Sequence, residues 1–282
     1  MSKIAILADS GCQLNSREGL YIVPLLVTIN EDSYLDGIDI DSAQVFEKMK
    51  NDPMCMPKTS QPTSGDLVSA MEKIKDAGYD MILGISIATG LSSTLSGMQL
   101  AADMVGIPIT LVDSKGTAGN QRYLVEVAES CIAKGMPIEA IKETLDTLVE
   151  TSATVIMASN LDHLKRGGRI TPAVALLAGM LKIVPVMKLN NALGGKIDTL
   201  AKARTQKKAR MVMIEDMQAH GVNAKDYKIT VEHVLCEEEA KALVDEIKGH
   251  FGKEIDIQFG LLPSVVGVHM GIGGLGLQYI HK

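Results

Sequence analysis

The chain has 282 residues, 46% hydrophobic and 22% charged, with a net charge of −6. This length supports one large domain or two ordinary ones around a buried core, and the acidic balance excludes the basic face that a nucleic-acid binder needs. No Trp and only 3 Phe exclude ring stacking as a main binding mode, whereas 16 Met suit an adaptable, aliphatic interior.

Lys3 to Ala8 reads as a buried strand that ends at Asp9-Ser10-Gly11. The same run is too short and too soon interrupted for a signal peptide. Tyr21 to Ile29, apolar and β-branched, predicts a second strand, and Asp41 to Met49 a helix with Ser42 as its cap. Next comes Pro57-Lys58-Thr59-Ser60-Gln61-Pro62-Thr63-Ser64-Gly65-Asp66. Pro62 fixes its own φ and keeps Gln61 out of the helical region, so Thr59 and Ser60 are offered from a stiff extended loop. Such a loop also serves simply to start a helix capped by Thr63 or Ser64. In that helix Leu67, Met71 and Ile74 share one face.

Met81 to Ser86 is a strand. A small-residue loop, Ala88-Thr89-Gly90-Leu91-Ser92-Ser93-Thr94, then enters a helix through Met104. Ile107 to Val112 is a strand, Gly119 to Lys134 and Pro137 to Val149 are helices, and Thr154 to Met157 is a strand. This alternation predicts a parallel sheet with helices on its faces. Ligands of open parallel sheets bind beyond the carboxyl ends of the strands, where Asp9-Ser10, Ser86 and Asp113-Ser114 gather with the Ser92-Ser93 loop.

The style changes after about residue 152. A helix is expected from Thr171-Pro172 to Leu181. Ile183 to Leu189 and Lys196 to Ala203 flank a Gly194-Gly195 hairpin. Helices are expected over Thr205 to Gln218 and Glu237 to Lys248, and strands over Lys228 to Val234, Ile255 to Phe259 and Val265 to Met270. The expected organisation is therefore an N-terminal α/β domain (1–152) and a C-terminal mixed α+β domain (153–282).

Five features bear on chemistry. The Ser92-Ser93-Thr94 helix start offers hydroxyls and unpaired N–H groups suited to a carboxylate or phosphate. His269, on an apolar run between glycines, is either a satisfied core residue or a donor or cation for an anionic head group. Gly271 to Gly276 spells GxGxxG, but no helix can follow it, so it reads as a turn rather than a dinucleotide fingerprint. Gly84-Ile85-Ser86-Ile87-Ala88 lies one residue from a nucleophile elbow, which keeps a serine hydrolase using Ser86 as an alternative. Arg169 and Arg204, at loop edges within basic stretches, suit a phosphate or an acidic partner. The four cysteines (Cys12, Cys55, Cys131, Cys236) form no CxxC pair, which points to free thiols in a reducing, cytoplasmic compartment rather than disulfides or a metal. No apolar run reaches membrane-spanning length, and no Walker A, zinc or EF-hand spacing occurs. No cofactor is expected, and any nucleotide chemistry would lie on another protein.

Together, Lys58-Thr59-Ser60-Gln61-Pro62, Leu91-Ser92-Ser93-Thr94-Leu95-Ser96-Gly97, Val112-Asp113-Ser114, Gly167-Gly168-Arg169-Ile170 and Gly267-Val268-His269-Met270-Gly271 resemble the DegV family, in order and over nearly the whole chain. That family includes the fatty-acid-binding subunits of the bacterial fatty acid kinase. The resemblance implies a lipid-binding carrier rather than an enzyme: two α/β domains hold a long-chain fatty acid in an apolar tunnel between them. It implies that Thr59, Ser60, Ser92, Ser93 and His269 hold the carboxylate, and that Arg169 and Arg204 serve the head-group region or the docking of the kinase subunit. The kinase would form an acyl-phosphate for phospholipid synthesis. Two departures are Met98-Gln99 after the serine loop and Met270 after the histidine, which bear on acyl preference. A small polar-metabolite (sugar or ketone) binding domain is the remaining alternative, and it would have no apolar tunnel.

Overall fold

The computed structural model describes residues 2–159, 161–176 and 183–282. Its first part runs β1 (Ile4–Asp9), β2 (Leu20–Val23), β3 (Leu26–Ile29), β4 (Asp32–Leu35), α1 (Ser42–Asn51), β5 (Lys58–Ser60), α2 (Ser64–Asp76), β6 (Met81–Ser86), α3 (Thr94–Val105), β7 (Ile109–Asp113), α4 (Ala118–Ala133) and α5 (Ile138–Thr151). The second part is β8 (Ala153–Met157), α6 (Asp162–Gly167), α7 (Pro172–Ala175), β9 (Val184–Asn190), β10 (Asp198–Ala203), α8 (Gln206–Ala219), β11 (Tyr227–His233), α9 (Glu237–Phe251), β12 (Ile257–Leu261), α10 (Ser264–Met270) and β13 (Leu275–His281).

The fold is α/β, as expected. A four-stranded parallel sheet in the order β2-β1-β6-β7 is flanked by helices, and a separate mixed sheet has the order β10-β9-β8-β13-β11-β12. The apolar runs of β1 and β6 are buried on both faces, which is why they show no alternation. Capping boxes start α1 (Asp41 with Gln44) and α2 (Thr63 with Asp66). The cap of α1 is thus Asp41 rather than Ser42, whereas Thr63 fills its expected place. Leu67, Met71 and Ile74 form the buried stripe of α2.

Four expectations need correction. Tyr21 to Ile29 is not one strand: the chain turns at Pro24, so β2 joins the parallel sheet and β3 a three-stranded antiparallel sheet, β4-β3-β5. The extended loop at Lys58–Ser60 is the third strand of that sheet. Val265 to Met270 is helix α10, not a strand. The glycine run at Gly271 is a turn, as expected, but it leads into β13, which lies between β8 and β11. The helix expected to reach Leu181 lies, beyond Leu176, outside the described residues.

The two sheets meet across α4 and α5, and this seam is unusually polar. Arg122 pairs with Glu232 (2.8 Å) and Lys228 with Glu126 (2.8 Å), and Asn120 donates to the Ala153 carbonyl (3.0 Å). The halves also touch through backbone: a Cβ on Gly90 would stand 2.1 Å from the Gly195 carbonyl oxygen. Gly90→Ala must therefore push the β6–α3 loop off the β9–β10 hairpin. It is expected to cost about 1–3 kcal/mol, read as a lower midpoint in chemical denaturation.

Burial raises the carboxyl pKa of Asp9 to about 6 and of Glu232 to about 7, the latter despite Arg122. A carboxyl with a raised folded pKa keeps a proton that the unfolded chain has lost, so its contribution falls as pH rises from the unfolded to the folded value. Glu232→Gln removes one such group. The Tm of this variant is expected to fall less steeply than that of the wild type between about pH 5 and pH 7; an unchanged slope refutes the assignment.

Candidate functional site

The carboxylates after the parallel strands brace the neighbouring loop. Asp9, ending β1, accepts from the Ile87 N–H (2.8 Å), the Gly11 N–H (3.0 Å) and Gln121 Nε2 (3.1 Å). Asp113, ending β7, accepts from the Thr89 N–H (3.2 Å) and the Thr89 hydroxyl, and pairs with Lys115 (2.7 Å). Because β1 and β7 flank β6, the two carboxylates grip the loop after β6 from both sides. That loop carries Ser92, whose Oγ lies 2.8 Å from Thr94 Oγ1 and accepts from the Thr94 N–H (3.3 Å).

The opposing residue is His269. Ser264, at the start of α10, donates its hydroxyl to buried Asp36, tying the helix to the loop after β4. At the far end of α10 the His269 Nε2 lies 2.7 Å from Thr59 Oγ1 on β5, linking residues 210 positions apart. Gly167 permits this arrangement, because a Cβ there would sit 2.3 Å from His269 Nδ1. Arg169 follows in the same turn. Its guanidinium donates to the carbonyls of Leu91 (3.2 Å from Nε) and Gly167, and it has no acidic partner among the described residues.

These groups border one narrow cavity that opens to solvent. Its walls are mainly aliphatic, with Leu25, Ile87, Leu91, Ile156, Leu189 and Val265 among them. Thr59, Ser60, Gln61, Ser92, Arg169 and His269 supply polar atoms. An outer basic cleft, lined by Lys58, His163 and Arg166, shares Thr59, Arg169 and His269 with the cavity.

Of the residues singled out from the sequence, Thr59, Ser60, Ser92, Arg169 and His269 therefore converge. Ser93 is exposed and makes no capping hydrogen bond; it lines only a surface cleft over the mouth. Arg204 is exposed ahead of α8 and is not part of the cavity wall. Ser86 is wholly buried, and its hydroxyl donates to the Ile87 carbonyl (2.9 Å) rather than facing an imidazole, which disfavours the hydrolase alternative. Thr117, Thr154 and Gln278 also line the cavity but were not singled out, since lone polar residues at buried positions give no periodic signal; Gln61, also in the lining, stood in the proline-bracketed loop without being assigned a role. The four cysteines are free, and no helix among the described residues is long and apolar enough to cross a membrane.

His269 carries no charge at neutral pH. Burial, then the Arg169 guanidinium and His163, push its pKa down to about 4. His163 is also lowered, mainly by burial, although its Nδ1 lies 3.0 Å from the Val268 carbonyl oxygen.

Comparison with known proteins places this geometry. Residues 3–282 match the family model described as uncharacterised protein, DegV family. A DegV domain-containing protein of Halalkalibacterium halodurans is 31% identical, with 100% of both chains covered. The crystal structure of a fatty acid binding DegV family protein from Streptococcus agalactiae is similar, with a TM-score of 0.90 at 26% identity over 100% of both chains. A stearic acid-binding protein from Eubacterium ventriosum superposes with a TM-score of 0.85 at 26% identity, covering 100% of this chain and 99% of that one.

In the ligand-free protein the His269 ring is expected to stay neutral on NMR titration until the pH nears about 4, with Arg169→Ala moving that midpoint upward. A midpoint at the ordinary histidine value would contradict the enclosed, cation-flanked environment.

Proposed function

This chain belongs to the DegV family, and from that premise we propose that it binds one long-chain fatty acid between an N-terminal domain (1–152) and a C-terminal domain (153–282). The observation that carries this reading is the pairing, in one cavity, of an aliphatic lining with a cluster of neutral donors and a cation, Arg169, that has no acidic partner among the described residues. Burying about 14 methylenes at roughly 0.8 kcal/mol each contributes about 11 kcal/mol gross. A carboxylate taken in with that tail needs donors and a counter-charge, because a bare buried anion would cost more than the tail gains.

Thr59, Ser60 and Ser92 supply hydroxyls, and Ser93 adds another at the rim. His269 acts as a neutral donor through the ring nitrogen that now faces Thr59, and Arg169 supplies the compensating charge. A cationic His269 is not required. The protein in this reading is a carrier: it shields the tail and presents the carboxylate to a fatty acid kinase subunit, which forms the acyl-phosphate used in phospholipid synthesis. Arg204, outside the cavity, belongs to the docking face with its basic neighbours on α8.

Native mass spectrometry of protein purified without added lipid is expected to show one extra mass in the range of a long-chain fatty acid. Arg169→Ala and His269→Ala should each weaken fatty-acid binding at least tenfold, a loss of about 1.4 kcal/mol or more. Arg204→Glu should leave binding unchanged but reduce phosphorylation by the kinase. An empty mass spectrum together with unaltered binding in both cavity variants would refute the reading.

A further inference from the structure

Two clefts share residues with the polar end of the cavity, and they differ in charge. Thr59 and Arg169 line both clefts as well as the cavity itself. The cleft over the mouth is walled largely by hydroxyls, Ser60, Ser92 and Ser93 among them, and Arg169 is its one cation among the described residues. The outer cleft shares His269 with the cavity and adds Lys58, His163 and Arg166, with no carboxylate in its lining among the described residues.

The added groups come from two elements. Lys58 opens β5, and His163 and Arg166 stand three positions apart on α6, close enough to act on one ligand. Lys58 and Arg166 are exposed, and neither side chain has an ion-pair or hydrogen-bond partner among the described residues. Arg169, by contrast, already donates to the Leu91 and Gly167 carbonyls. His163 places its Nδ1 3.0 Å from the Val268 carbonyl oxygen, which makes Nδ1 the protonated nitrogen and leaves Nε2 without a partner among the described residues. Two uncommitted cations in one concavity of a chain with net charge −6 are a local reversal of sign, suited to an anion of more than one charge.

Resting on the fatty-acid reading, we propose that the outer cleft is a phosphoryl subsite: it holds the phosphate of an acyl-phosphate whose chain lies in the cavity, with Lys58 and Arg166 as its charged ligands. The need for it follows from charge. A carboxylate oxygen bonds to the terminal phosphorus of a nucleoside triphosphate, and the phosphorus–oxygen bond to the nucleoside diphosphate breaks, the diphosphate leaving with that electron pair. The lipid head thereby passes from one negative charge to about two and carries its new oxygens further from the chain. Arg169 compensates the carboxylate alone; Lys58 and Arg166 compensate the phosphoryl group added to it.

The test is displacement of a fluorescent fatty acid from the full-length protein by octadecanoic acid and by monooctadecyl phosphate, a stable stand-in for the acyl-phosphate. Lys58→Gln and Arg166→Gln should each weaken octadecyl phosphate about tenfold while changing octadecanoic acid by no more than about twofold. Octadecanoic acid serves as the folding control in each variant. Equal losses for the two ligands, octadecyl phosphate binding untouched in both variants, or refusal of octadecyl phosphate by a wild-type protein that binds octadecanoic acid overturns this inference and leaves the fatty-acid reading standing. Failure of both ligands to bind the wild type overturns both.

Discussion

The contact on which the site depends is the hydrogen bond between Thr59 and His269. It joins the short strand β5 to the last helix, and the two belong to different halves of the chain. Everything near it is arranged so that these groups can meet. Ser264 and Asp36 hold the start of α10, and Gly167 clears space for the ring. An imidazole enclosed in this way loses hydration that its charged form needs most, so the bond is made between neutral partners. Local charge comes from the Arg169 guanidinium instead.

The parallel sheet contributes through its C-terminal edge, although not as sequence reasoning placed it. Asp9 and Asp113 do lie beyond the strand ends, where ligand-binding groups of such sheets gather. Both are consumed in holding backbone N–H groups of the loop after β6. Their part is to fix where Ser92 stands. The polar groups left for a ligand are hydroxyls, an amide, an imidazole and a guanidinium. That set tolerates a carboxylate more readily than an acidic edge would.

How much of this was legible in the sequence depended on burial and separation. The parallel strands β1, β6 and β7 and helices α1 to α5 were readable because β1 and β6 are continuous apolar runs and α2 has a clean stripe, whereas β2 and β3 read as one run, β5 read as a loop and the half-exposed β4 gave no signal. The Thr-Ser-Gln-Pro and Ser-Ser-Thr loops stood out because prolines and clustered hydroxyls mark chain punctuation. Helix α10 was misread because Val265, Val266 and Val268 favour strands. The helix is buried on nearly every side, which erases the polar face that would have revealed its period. Strand β13 was missed because glycines at Gly271, Gly273, Gly274 and Gly276 mask its start. Thr117 and Gln278 were invisible for a different reason: they matter only where two distant strands and a helix end meet, and no local pattern encodes that meeting.

The position of β13 has a consequence for assembly on the ribosome. It is the final strand in sequence, yet it separates β8 from β11. The four parallel strands of the first sheet are complete once Asp113 has emerged. The second sheet must wait, with β8 and β11 each exposing an unpaired edge, until Leu275 to His281 slot between them. Closure of the cavity wall therefore has to wait until residues 275–281 have emerged and docked between β8 and β11.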